Sequence, residues 1–78
     1  MNQTSMDRMI ENYRNGNLTD AKRGAKRLKA ENIMLTLQDD YNFSADAAHA
    51  VTAFLKGNGT FQAACDAEYR QTHAGNRP

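Results

Sequence analysis

Residues 4–19 read TSMDRMIENYRNGNLT, and this stretch decides the fold class. Met6, Met9, Ile10 and Tyr13 recur at i, i+3, i+4 and i+7, which gathers them into one stripe at 3.6 residues per turn. Thr4 precedes the stripe with Asp7 three positions on, an arrangement resembling a capping box. Gly16 follows where a helix closes in the left-handed region. Leu18 and Thr19 then repeat the pattern as staple and cap. The spacing predicts a helix over 5–15 and a second one opened by Thr19.

The same signals return along the chain. Ala21, Ala25 and Leu28 form a narrow inner face of the second helix, with Gly24 beside them. A glycine inside a helix costs up to ~1 kcal/mol relative to alanine, so close approach of another helix is the expected compensation. A change of phase at 29–32 starts a third helix reaching Tyr41, with Ala30, Ile33, Met34, Leu37 and Tyr41 on one face and Leu35 off it. Phe43 and Ser44 mark the entry to a fourth, over 45–56. It buries Ala47, Val51, Phe54 and Leu55 and shows Asp46, His49, Thr52 and Lys56 on a polar stripe. Gly57-Asn58-Gly59 is a turn, and Thr60 caps a fifth helix over 61–71 with Phe61, Ala64 and Cys65 inward.

Period-2 alternation is missing and the caps are unevenly spaced, which excludes a sheet and a solenoid repeat. The expectation is an all-α protein, a compact bundle of about five short helices. Residues 1–72 read as a single helical domain and 73–78 as a flexible polar tail.

With 78 residues the chain has room for one modest core, burying about 60% of its unfolded surface. The single cysteine, Cys65, excludes an intramolecular disulfide. Neither a signal-peptide pattern nor an apolar run near the ~20 residues of a membrane span is present, so a soluble protein of a reducing compartment is expected. Four Asn-x-Ser/Thr triplets end in Thr4, Thr19, Ser44 and Thr60, which read as helix caps rather than as glycosylation signals.

Residue chemistry offers little to catalysis. His49 and Cys65 fall on different helices, and Cys65 on an expected core face. Asp39 and Asp40 diverge by 100° on a helix, and no second ligand cluster joins them. Gly57 and Gly59 precede a helix without the strand and lysine of a phosphate-binding loop. The expectation is a non-enzyme with no metal and no cofactor.

Charge carries more. Lys22, Arg23, Lys26, Arg27 and Lys29 fall within eight residues with no acid among them. Residues 1–30 hold seven basic and three acidic groups, whereas 31–70 hold six acidic and two basic ones. Such polarity orients a protein toward a charged partner. All five cations are expected opposite the inner face of the second helix, where like charges at i,i+4 repel by a few tenths of a kcal/mol. They are the candidate partner-binding residues, for an acidic protein face or a nucleic acid. A helix-turn-helix reader is disfavoured, because the fifth helix starts Phe61-Gln62-Ala63-Ala64, in the acidic half.

Residues 13–22, then Ala25-Lys26-Arg27, then Phe54-Leu55-Lys56-Gly57-Asn58-Gly59-Thr60-Phe61-Gln62-Ala63-Ala64-Cys65-Asp66-Ala67, resemble small open reading frames of bacteriophages and mobile elements. The likeness covers residues 10–68 and brings no catalytic residues with it. Such proteins are often anti-defence factors, anti-CRISPR proteins above all. The resemblance implies stoichiometric inhibition of a host protein or ribonucleoprotein immune complex in the bacterial cytoplasm. The alternative is a small nucleic-acid-binding accessory protein using the basic helix. Residues 33–68 also resemble, more faintly, a ubiquitin-associated three-helix fold, with Asn42-Phe43-Ser44 and Gly57-Asn58 at its turns. Asn42 replaces the glycine of that fold's binding loop, so the resemblance implies helical geometry without ubiquitin binding.

Overall fold

Glycine and asparagine set where this chain turns. In the computed structural model, which describes residues 4–74, five helices follow one another: α1 Ser5–Arg14, α2 Leu18–Ala25, α3 Ala30–Tyr41, α4 Ala45–Leu55 and α5 Phe61–Ala74. The described residues contain no strand, and the protein is a small all-α bundle. Helix α1 ends in a Schellman closure: Gly16 sits at φ +86°, its N–H donates to Tyr13 O at 3.2 Å, and Asn17 N–H donates to Asn12 O at 2.8 Å. Helix α4 ends the same way, with Gly57 at φ +85° and N–H bonds from Gly57 to Phe54 O and from Asn58 to Ala53 O. Asn42 closes α3 from the left-handed region at φ 59°, a conformation asparagine tolerates better than most residues.

Three of the four expected caps form. Thr4, Ser44 and Thr60 each accept the backbone N–H three residues on, at 3.0, 3.1 and 3.0 Å. Thr19 does not. The bond from Asn17 to Asn12 swings the chain round two residues early, so Asn17 takes the N-cap position and Leu18 lies inside α2. Helix α5 continues to Ala74, into the stretch expected to be a tail, and the rest of that stretch (75–78) lies outside the described residues.

Helix α4 is the hub, packing on α2, α3 and α5, while α1 packs on α2. It buries Ala47, Ala48, Val51, Thr52, Phe54 and Leu55, a wider face than the wheel suggested. Thr52, expected on the polar stripe, is buried, and its Oγ1 has no hydrogen-bond partner among the described residues. One contiguous core joins Ala48, Val51, Phe54 and Leu55 to Met9, Ile10, Tyr13, Ala21, Ala25, Ile33, Leu37 and Ala64. Ala30, expected on the inner face of α3, is exposed, as is Leu35.

Helix α5 is rotated from its expected phase. It turns Ala64 and Ala67 inward, and Cys65 and Phe61 are exposed. Alanines let α5 lie close against α4, and that gain outweighs burying the larger ring. Gln71 pins α5 to the α3–α4 turn: its Oε1 accepts from Ser44 N–H at 2.8 Å and its Nε2 donates to Asn42 O at 2.9 Å.

Helix α2 has no glycine to close it. Its carbonyls find Lys56 instead, whose Nζ donates to Ala25 O at 2.6 Å and to Leu28 O. Lys56 was expected to face solvent. An ammonium at a helix C-terminus satisfies orphan carbonyls and meets the negative end of the dipole, which draws the side chain inward.

Tyr13 links the two ends of the chain, its hydroxyl donating to Glu68 Oε2 at 2.6 Å. Burial first, and then the Glu68 carboxylate, raises its pKa well above the ordinary tyrosine value. A phenol that resists ionising when folded stabilises the fold below about pH 10, where an unfolded tyrosine starts to ionise, and that contribution is lost as pH rises further. Denaturant midpoints should therefore fall between pH 9 and 11. Tyr13→Phe should flatten that fall while lowering the midpoint at pH 8, and parallel curves would show that the Tyr13 phenol is not responsible.

Candidate anion-binding surface

The five clustered cations do not share one helical face. Only Lys22 and Arg23 lie within α2; Lys26 is its C-cap, Arg27 is in the following turn, and Lys29 is the N-cap of α3. The helix stops at Ala25 because the next N–H groups tighten to i−3 carbonyls, Arg27 to Gly24 O and Leu28 to Ala25 O, before Lys29 turns extended.

The cations therefore take different roles. Lys22 is half-buried, with Nζ 4.5 Å from the centroid of the Phe54 ring, so it is a packing residue as much as a charge. Arg23 pairs with Asp20 at 3.4 Å in an exposed i,i+3 bridge. Lys26 and Lys29 are exposed on the connector, as the sequence implies.

Arg23 and Arg27 also face a residue the sequence reading passed over. Helices α1 and α2 run antiparallel across the short 15–17 connector, which sets Arg8 opposite Arg23 and Arg27. Arg8, Arg23 and Arg27, with Asp20 and Asn12, line a cleft of about 390 Å³ between the helices. Met9 and Gly24 line it too. A Cβ added at residue 24 would lie 3.3 Å from Met9 Cβ, so the glycine does allow the close helix approach expected of it. The signal for Arg8 was available: a three-residue connector dictates an antiparallel pair, and residues 8 and 24 fall at the same level in it.

Three aromatic rings meet beside Lys22. Tyr13, Phe54 and Phe61 pack with centroids 5.4–6.2 Å apart in tilted and edge-on geometry. Phe61 stays 42% exposed and, with Tyr13, Arg14, Cys65 and Glu68, borders a shallow hollow. Desolvation first, and then Glu68 and Asp66, raises the Cys65 pKa above the ordinary thiol value.

Asp39, Asp40 and His49 are exposed and converge on nothing with ligand geometry. Among the described residues, no group of three or more His, Cys, Asp or Glu side chains is placed to hold a metal ion, and no helix is long and apolar enough to cross a membrane. No protein-family model, no curated protein and no solved structure matches the chain.

Proposed function

We propose that this protein is a stoichiometric binding protein of the anti-defence kind, an anti-CRISPR-like inhibitor that docks its basic face on an anionic surface of a bacterial immune complex. The observation that carries the reading is the convergence of Arg8, Arg23 and Arg27 on one open cleft, with Lys26 and Lys29 extending the positive surface along the connector. Guanidiniums in a cleft recognise carboxylates and phosphates through paired N–H bonds, while the flanking lysines steer the encounter. The assignment to immune complexes comes from the resemblance to phage and mobile-element reading frames.

The test is protection of a targeted plasmid in bacteria that carry an active CRISPR system. Expression of the protein should restore plasmid survival, and reversal of Lys26, Arg27 and Lys29 to Glu should abolish most of that protection while leaving the helical circular dichroism unchanged. The reversed protein should associate with its target at least about tenfold more slowly, since charge acts mainly on the encounter rate. Full protection by the reversed protein would remove the basic face from the function.

A second reading, a nucleic-acid-binding accessory protein, draws on the exposed Phe61 ring near Lys22, since an aromatic face beside cations suits stacking of unpaired bases. It requires tight, steeply salt-dependent binding of bare single strands, weakened by Phe61→Ala.

A further inference from the structure

The α1–α2 cleft has a charge and a size that narrow its ligand. Three guanidiniums line it against one carboxylate, that of Asp20. We infer that the cleft is a phosphate-binding site that takes a nucleoside monophosphate, free or as the 5′-terminal nucleotide of a strand. This rests on the proposed docking of the basic face and names the anion that face receives.

Charge balance favours a phosphate monoester. Its dianion, about −1.5 to −2 at neutral pH, offsets the excess of two positive charges. A carboxylate has one charge and is satisfied by a single guanidinium fork, which would leave two forks without an acceptor. Arg8 belongs to α1 and Arg23 and Arg27 to α2 and its exit, so arginines from both helices line the cleft, which suits a tetrahedral group better than a planar one.

Size extends the ligand beyond the phosphate. A cleft of about 390 Å³ has space for more than one phosphate group, and Met9 and Gly24 give its lining an apolar part. A sugar and base can lie there, with Asn12 among the lining residues to hydrogen-bond either. Asp20 is the group an arriving phosphate displaces. Its bridge to Arg23 is long at 3.4 Å, with the two side chains 59% and 71% exposed, so it holds the fork weakly.

The experiment titrates the full chain with AMP, adenosine and inorganic phosphate, and with one oligonucleotide carrying either a 5′-phosphate or a 5′-hydroxyl. Amide NMR shifts locate the site. AMP should bind one to one and shift residues 8, 12, 24 and 27, and adenosine should bind at least about tenfold more weakly. Arg8→Gln and Arg23→Gln should each weaken AMP by about tenfold, Arg8→Lys should restore little of it, and Asp20→Asn should tighten it. These positions are exposed, and circular dichroism on each variant verifies the fold.

Preference for the 5′-phosphorylated strand over the 5′-hydroxyl strand assigns the site to strand ends, whereas binding of AMP with equal neglect of both strands assigns it to free nucleotides. Equal affinity for AMP and adenosine, or undiminished AMP binding by the Arg8→Gln, Arg23→Gln double variant, overturns the inference. The two readings fail separately. Plasmid protection that persists in a protein blind to AMP sinks the nucleotide site alone, and AMP binding without protection sinks the anti-defence reading alone.

Discussion

Phe54→Ala should lower the unfolding free energy by about 3–5 kcal/mol, the cost of removing a buried phenyl ring from a core with little capacity to collapse. Phe54 is 5% exposed, packs on the rings of Tyr13 and Phe61, and carries the Lys22 ammonium over its face. The substitution therefore removes a junction among α1, α2, α4 and α5. In a domain of this size the loss approaches the whole stability, and urea titration at 25 °C should find the variant partly unfolded in plain buffer. A midpoint within a few tenths molar of the parent would mean that Phe54 is not at the crossing of these helices. Because Lys22 loses its platform as well, Lys22→Met should cost much less in the Phe54→Ala background than in the parent.

Lys56→Met should cost about 2–4 kcal/mol, although methionine matches the stem of lysine in length. Two carbonyls, Ala25 O and Leu28 O, accept from Nζ in a half-buried setting, and each would be left short of a donor at about 1–3 kcal/mol. The site also lies at the negative end of α2, so a cation there is favoured beyond its hydrogen bonds. Thermal melting and amide exchange separate the effects: the parent should protect the amides of residues 27–30 against exchange and the variant should not. Equal protection in both proteins would show that the clasp contributes nothing.

What the sequence makes legible here is what depends on neighbours within one turn. The Met6–Met9–Ile10–Tyr13 stripe, the caps at Thr4, Ser44 and Thr60, the left-handed glycine at 16 and the turn at 57–59 all form as read. Each is settled by a hydroxyl, a missing Cβ or a period, and none needs knowledge of a distant partner. The misreadings share the opposite property. Cys65 and Phe61 were placed inward because they are the more apolar residues, yet the fit of α5 on α4 selected Ala64 and Ala67. Lys56 was placed outward because it is charged, yet an unclosed helix far away in sequence recruits it. Thr19 lost its cap position to a closure begun seven residues earlier at Asn12.

The candidate site was half legible for the same reason. The run from Lys22 to Lys29 announces a basic surface. It does not say that α2 stops at Ala25, that Lys22 lies on an aromatic ring, or that Arg8 faces Arg23 and Arg27 across a cleft. The last of these follows from the antiparallel packing of α1 on α2, which is visible only once the length of the connector is treated as a geometric constraint, and the other two from the exit of α2 and its packing on α4.

Gly24 has a consequence that reaches beyond packing. Residue 24 meets Met9 at a close approach of α1 and α2, and Arg8, Arg23 and Arg27 line the same cleft. Residue 24 thus acts as the set screw of a calliper whose jaws are guanidiniums. Alanine, serine and valine there should part the jaws in successive steps, because Met9 Cβ cannot retreat without its helix. Ligand selectivity would then be tuned through a position that bears no charge and makes no hydrogen bond with its side chain, with small anions lost first as the gap widens.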